Sequence, residues 1–178
     1  MKFLLTFLLF ICSTIFAYSQ RISLSNLIRV QNSSIVDAED ILLSLGFKHV
    51  AEYGKTEEFD VYNFQKNTST SDDYINVSKF LYKGKNISTS VFTLYKSDYT
   101  ELKKALAPQG FKYIETRKTP KDKELGEKVS HIYRKNGFEV HLSITQYIEE
   151  HRNNRSVSMY KLEIINIENE NFYFDNTL

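Results

Sequence analysis

Along this chain the spacing of apolar residues switches between helical intervals and strict alternation, and the switches divide it into elements. Leu24, Leu27 and Ile28 stand at helical spacing within residues 22–30, which predicts a short lead-in helix. Ala38, Ile41, Leu42 and Leu45 form a second stripe after Ser33-Ser34, with Asp37, Glu39 and Asp40 near its start. A serine there can accept from an orphan backbone N–H, and the acids suit the positive end of the helix dipole. Gly46 ends this helix, because it tolerates the positive φ that a C-terminal cap requires. The pattern then alternates, with strands expected over residues 47–53, 59–66, 74–82 and 87–95. The last of these is the clearest. Ile87, Thr89, Val91, Thr93 and Tyr95 fall on one face, and Ser88, Ser90, Phe92 and Leu94 on the other.

The order then recurs. Asp98 with Glu101 three residues on predicts a helix start resembling a capping box. Leu102, Ala105 and Leu106 make its apolar stripe, and Pro108 is expected to end it. Strands are expected over residues 111–117, 129–135, 138–148 and 156–167. Asn136-Gly137 marks a hairpin, since a type I′ turn needs positive φ at both central residues. Leu45-Gly46-Phe47-Lys48-His49-Val50 returns as Gln109-Gly110-Phe111-Lys112-Tyr113-Ile114. The fold class expected is therefore α+β, a tandem repeat of two helix-plus-four-stranded antiparallel units that share one sheet or form two lobes. The first unit with its lead-in helix spans 20–96, the second 97–168, and a C-terminal tail 169–178.

The start of the chain adds an address. Met1-Lys2 precedes an apolar run from Phe3 to Phe16, and Ala17-Tyr18-Ser19 places small residues where a signal peptidase reads. Residues 1–19 are thus expected to be a signal peptide cleaved before Gln20, giving an exported protein, periplasmic or extracellular. The run is too short for a membrane span. Cys12, the only cysteine, follows Ile11 within the apolar run, which argues against a lipid anchor. Cleavage would leave 22 basic and 22 acidic residues and no cysteine, hence no disulfide and no thiol chemistry. Neutral balance argues against nucleic acid as a partner.

Motifs for chemistry are sparse. The four histidines, His49, His131, His141 and His151, lack metal-ligand spacing. Counted from the Asn136-Gly137 turn, His131 opposes Leu142 and His141 opposes Ile132, which puts the two on opposite faces. No Gly-x-Ser-x-Gly and no glycine-rich phosphate loop occurs. The charge-dense stretch 117–128 reads as a mobile insertion between two strands. No catalytic, cofactor-binding or metal-binding residue is assigned, and no cofactor is expected. Elimination leaves an exported, non-enzymatic binding or interaction protein, its partner an unknown protein or envelope component. Tyr62, Phe64, Tyr82, Tyr95, Tyr133 and Tyr147 are candidates for its interaction surface. A small-molecule or lipid carrier, or an enzyme whose site has no sequence motif, are the alternatives.

Leu24-Ser25-Asn26-Leu27-Ile28 followed by a helix ending Leu45-Gly46-Phe47 resembles the start of uncharacterised exported proteins of Bacteroidota bacteria. The Tyr-, Phe-, Asn- and Lys-rich composition and a leader ending Ser19-Gln20 suit that source. The resemblance covers the first quarter of the chain. It implies a bacterial envelope protein and brings no functional residues with it.

Overall fold

The computed structural model describes residues 22–50, 58–67, 74–93, 95–122, 126–149 and 155–170. In order the elements are α1 (Leu24–Asn32), α2 (Ile35–Ser44), β1 (Lys48–Val50), β2 (Phe59–Asn67), β3 (Tyr74–Tyr82), β4 (Lys85–Thr93), α3 (Lys96–Leu106), β5 (Lys112–Asp122), β6 (Gly126–Lys135), β7 (Phe138–Glu149) and β8 (Arg155–Asn166). A single helical turn follows at 167–170.

The strands make one antiparallel sheet of eight, ordered β1-β2-β3-β4-β8-β7-β6-β5. This corrects the tandem helix-plus-four-strand reading: the protein is a β-rich, single-sheet fold. The finding that overturns it is the pairing of β4 with β8, from Ser88 opposite Ile165 to Thr93 opposite Tyr160. That pairing joins residues 67 to 77 positions apart and puts Val91 against Leu162 inside the core. The lengths are unequal as well, for β1 has 3 residues and β5 has 11.

What does recur is local. Both helix exits are Schellman caps, with Phe47 N–H bonded to Leu42 O (3.0 Å) and Phe111 N–H to Leu106 O (3.1 Å). Gly46 and Gly110 supply the positive φ, +82° and +84°. At each exit a lysine ammonium closes the last turn, Lys66 Nζ on Leu45 O and Lys135 Nζ on Gln109 O, both at 2.6 Å. A cation at a helix C-terminus is favoured by the dipole, so Gly-Phe recurs because this exit recurs.

At the helix starts, Ser23 and Ser34 accept from the N–H groups of Asn26 and Asp37. The expected Asp98 cap does not form. Helix α3 starts at Lys96, and Asp98 instead accepts from the Thr93 hydroxyl at 3.3 Å. The stretch 117–128 is no loose insertion where it is described: β5 runs to Asp122 and β6 begins at Gly126, with those two residues paired.

All three helices pack on one face. Across its centre run Phe64, Val77, Val91, Leu162 and Leu142, cross-strand neighbours and all buried. Leu24, Leu27 and Val30 of α1, Ala38 and Leu42 of α2, and Leu102 and Leu106 of α3 complete one core. A polar clamp sits within it. Lys79 Nζ, fully buried, donates to the carbonyls of Val30 (2.7 Å) and Gln31 (3.3 Å) at the end of α1. Gln31 in turn donates to Ile87 O and accepts from the Thr89 hydroxyl. The far side of the sheet has a different chemistry.

Candidate functional site

Because side chains alternate along a strand, the register that builds the core also fixes what faces the other way. Three cross-strand rows result on the far face. One runs Arg134, Glu139, Ile165, Ser88, Phe80; the next runs Ile132, His141, Glu163, Ser90, Ser78. The third runs Ser130, Ser143, Lys161, Phe92, Asn76. Serine is the smallest polar side chain available, and Ser78, Ser88 and Ser90 occupy adjoining positions on β3 and β4. Neighbouring strands lie about 4.8 Å apart, so short side chains side by side leave a depression between taller ones. A cavity of about 320 Å³ lies there, lined by Ser78, Phe80, Ile87, Ser88, Ser90, Glu163, Ile165 and Glu170.

Charged side chains on the same face of the sheet are paired with one another. Glu139 Oε2 accepts from Arg134 and Oε1 from His141 Nε2, both at 2.5 Å. Burial alone would raise the Glu139 pKa, but the hydrogen bonds from His141 and Arg134 outweigh it and hold the carboxyl below its ordinary range. Lys161 Nζ binds Glu163 Oε2 at 2.8 Å and stands 5.2 Å from the centre of the Phe92 ring. The Ser88 hydroxyl donates to Glu163 Oε1 at 3.3 Å. Glu170, on the turn after β8, has no hydrogen bond or ion pair to another described residue. Its pKa is pushed up by burial and by the nearby Glu139 and Glu163 carboxylates, against which His141 pulls down.

The turn that carries Glu170 is itself fastened. Asn169 Nδ2 donates to Asn86 O at 2.9 Å, Ile167 N–H to Gly137 O at 2.9 Å, and Asn166 Oδ1 accepts from the N–H groups of Glu168 and Asn169. Glu170 is thereby held at the cavity lining by the bonds of its neighbours on the turn.

Of the aromatic residues singled out from sequence, Phe64 and Tyr82 are buried and Tyr62, Tyr95 and Tyr133 are half-buried. Tyr62 and Phe64 lie on the helix-covered side around His49, with ring centres 6.4 and 5.2 Å from the imidazole. Phe64 is buried in the core, and Tyr133 packs against that core from β6. Tyr82 is fully buried beside Phe59. Tyr95 precedes α3 and is half-buried. The side chain of Tyr147 lies outside the described residues. His131 and His141 stand on opposite faces, opposing Leu142 and Ile132 as counted from the turn. Burial, with Lys103 adding to it, lowers the His131 pKa. Among the described residues no three His, Cys, Asp or Glu side chains converge as a metal site.

Sequence reading missed the residues of the cavity itself. The signal was the Ser88, Ser90, Phe92 face of β4, whose small polar residues sit in a sheet centre. Glu170 gave none, since its place depends on how the chain turns after β8. A second groove, of about 520 Å³, lies between α1 and α2 and is lined by Ile28, Arg29, Asn32, Ser33, Asp37, Asp40 and Ile41. Arg29, Asn32, Asp37 and Asp40 there are exposed residues of the helix surface. No described helix is long and apolar enough to cross a membrane. Compared with protein-family models, curated proteins and solved structures, the chain finds no match.

Proposed function

We propose that this chain is an exported, non-enzymatic binding protein whose ligand sits on the far face of the sheet. The observation that carries the reading is the cavity over β3, β4 and β8, where apolar walls and polar groups converge. Its polar groups are arranged to orient rather than to react. The Ser88 hydroxyl points to a carboxylate that Lys161 already engages, and Ser78 donates to Asn63 at 2.6 Å. A volume of about 320 Å³ suits a small molecule, or one side chain of a larger partner, better than a lipid acyl tail with its headgroup. Export rests on the apolar leader and the Ala17-Tyr18-Ser19 processing pattern, which lie outside the described residues.

The test is a pull-down from envelope and culture-supernatant extracts with residues 20–178, beside a cavity-filling Ser78→Tyr variant whose thermal melt matches wild type. A stoichiometric ligand held by wild type and released by the variant is the expected result. Equal retention by both would place the binding elsewhere and overturn the reading.

A further inference from the structure

We infer that the far-face cavity recognises an amphipathic monocation, a primary ammonium on a short alkyl stem. This deepens the proposed function and rests on it. The inference comes from charge accounting at one place. On this face Arg134 and His141 both engage Glu139, and Lys161 engages Glu163. That leaves Glu170, half-buried at the cavity lining, without a described hydrogen-bond or ion-pair partner. The lining pairs this carboxylate with Glu163, so an anion entering the cavity would meet two acids and, just beyond them, Glu139. A neutral ligand would cover Glu170 and leave it unpaired, which is costly for a charged group taken from water. A cation at that position supplies the missing partner.

The rest of the cavity suits what a cation would carry. Phe80, Ile87 and Ile165 offer apolar surface for an alkyl stem, and Ser88 and Ser90 add hydroxyls able to accept from an ammonium. The direction in which the Glu170 carboxyl is pushed, upward by burial and by two neighbouring carboxylates, is that of a group lacking a counter-charge. Among the described residues the charged groups that act on it are Glu139 and His141 on β7 and Glu163 on β8, and Arg134 and Lys161 are engaged by Glu139 and Glu163.

The experiment is an amide chemical-shift titration of residues 20–178 with n-hexylammonium, n-hexanol and hexanoate as probes. Hexylammonium is expected to shift Ser88, Ser90, Glu163, Ile165 and Glu170 saturably, and hexanoate to leave them in place. Glu170→Gln should weaken hexylammonium about tenfold, the order of one charge-assisted hydrogen bond. Glu101→Gln, on the exposed side of α3, should not weaken it and so controls for net charge. Hexanol binding as tightly as hexylammonium, or Glu170→Gln binding as tightly as wild type, would overturn the inference. In either case shifts confined to this face would leave the binding reading standing. No shift from any probe would also overturn the cation inference, while the pull-down decides the broader reading by itself.

Discussion

Leu162 and Glu163 are consecutive residues of β8, and they stand in two different environments. Leu162 lies between Val91 and Leu142 under the helices; Glu163 lies between Ser90 and His141 on the far face. The same comparison holds on β7 for Leu142 and Ser143, and on β4 for Val91 and Ser90. On the helix-covered side the buried charge is matched, since the Lys79 ammonium meets two carbonyls at the end of α1. On the far side Glu139 and Glu163 are matched, and Glu170 has no hydrogen-bond or ion-pair partner among the described residues. A protein gains nothing in stability from an unmatched, half-buried carboxylate. This contrast supports placing the proposed binding site on the far face.

The comparison can be broken hardest in the core. Leu142→Ala removes a fully buried side chain at the centre of the apolar row and should cost about 3 kcal/mol of unfolding free energy. Its neighbour Ser143→Ala loses only the hydroxyl paired with Ser130, and should cost about 1 kcal/mol. Chemical denaturation of the two variants measures both. Equal losses would mean that the two faces are not packed differently.

Lys79 tests the matched side. Lys79→Met leaves the Val30 carbonyl without its donor and should destabilise by about 1–2 kcal/mol at neutral pH. The pH dependence has a definite sign. Burial lowers the Lys79 pKa from 10.5 to about 8, so between those values the unfolded chain holds a proton that the folded chain has shed. Stability from this group therefore rises as pH climbs from about 8 to 10.5. Denaturation midpoints across that window should show wild type gaining on Lys79→Met. A constant difference would mean that the ammonium is not held away from water.

The smallest effect is expected at Tyr99. Its hydroxyl is buried with no hydrogen-bond partner among the described residues, beside Tyr160, and burial first, then Tyr133 and Tyr160, push its pKa up to about 12. Tyr99→Phe deletes an unsatisfied group and should be neutral or stabilising by up to about 1 kcal/mol. A clear loss in the thermal melt would show that the hydroxyl is satisfied after all.

How far the sequence went follows the range of each interaction. Gly46, Gly110 and Asn136-Gly137 were legible because positive φ is a local demand, met here at +82°, +84°, and +45° with +78°. The opposed faces of His131 and His141 followed from counting outward from one turn. The pairing of β4 with β8 was not legible, for nothing local distinguishes the strand that will lie beside Ile87–Thr93. Two similar helix exits then suggested two units where there is one sheet. Asp98 met the local rule for a cap and lost to Thr93, a contact available only once β4 is in place. The surroundings of the buried Lys79 and the half-buried Glu170 both depend on what the tertiary fold brings beside them.

The measurement that tests the central claim most directly is an amide shift map of residues 20–178 bound to the ligand retained from envelope extracts. Perturbations centred on Ser78, Ser88, Ser90 and Glu163 are predicted. Perturbations centred on Arg29, Asn32 and Asp37, in the groove between α1 and α2, would contradict the account and move the binding surface to the helices.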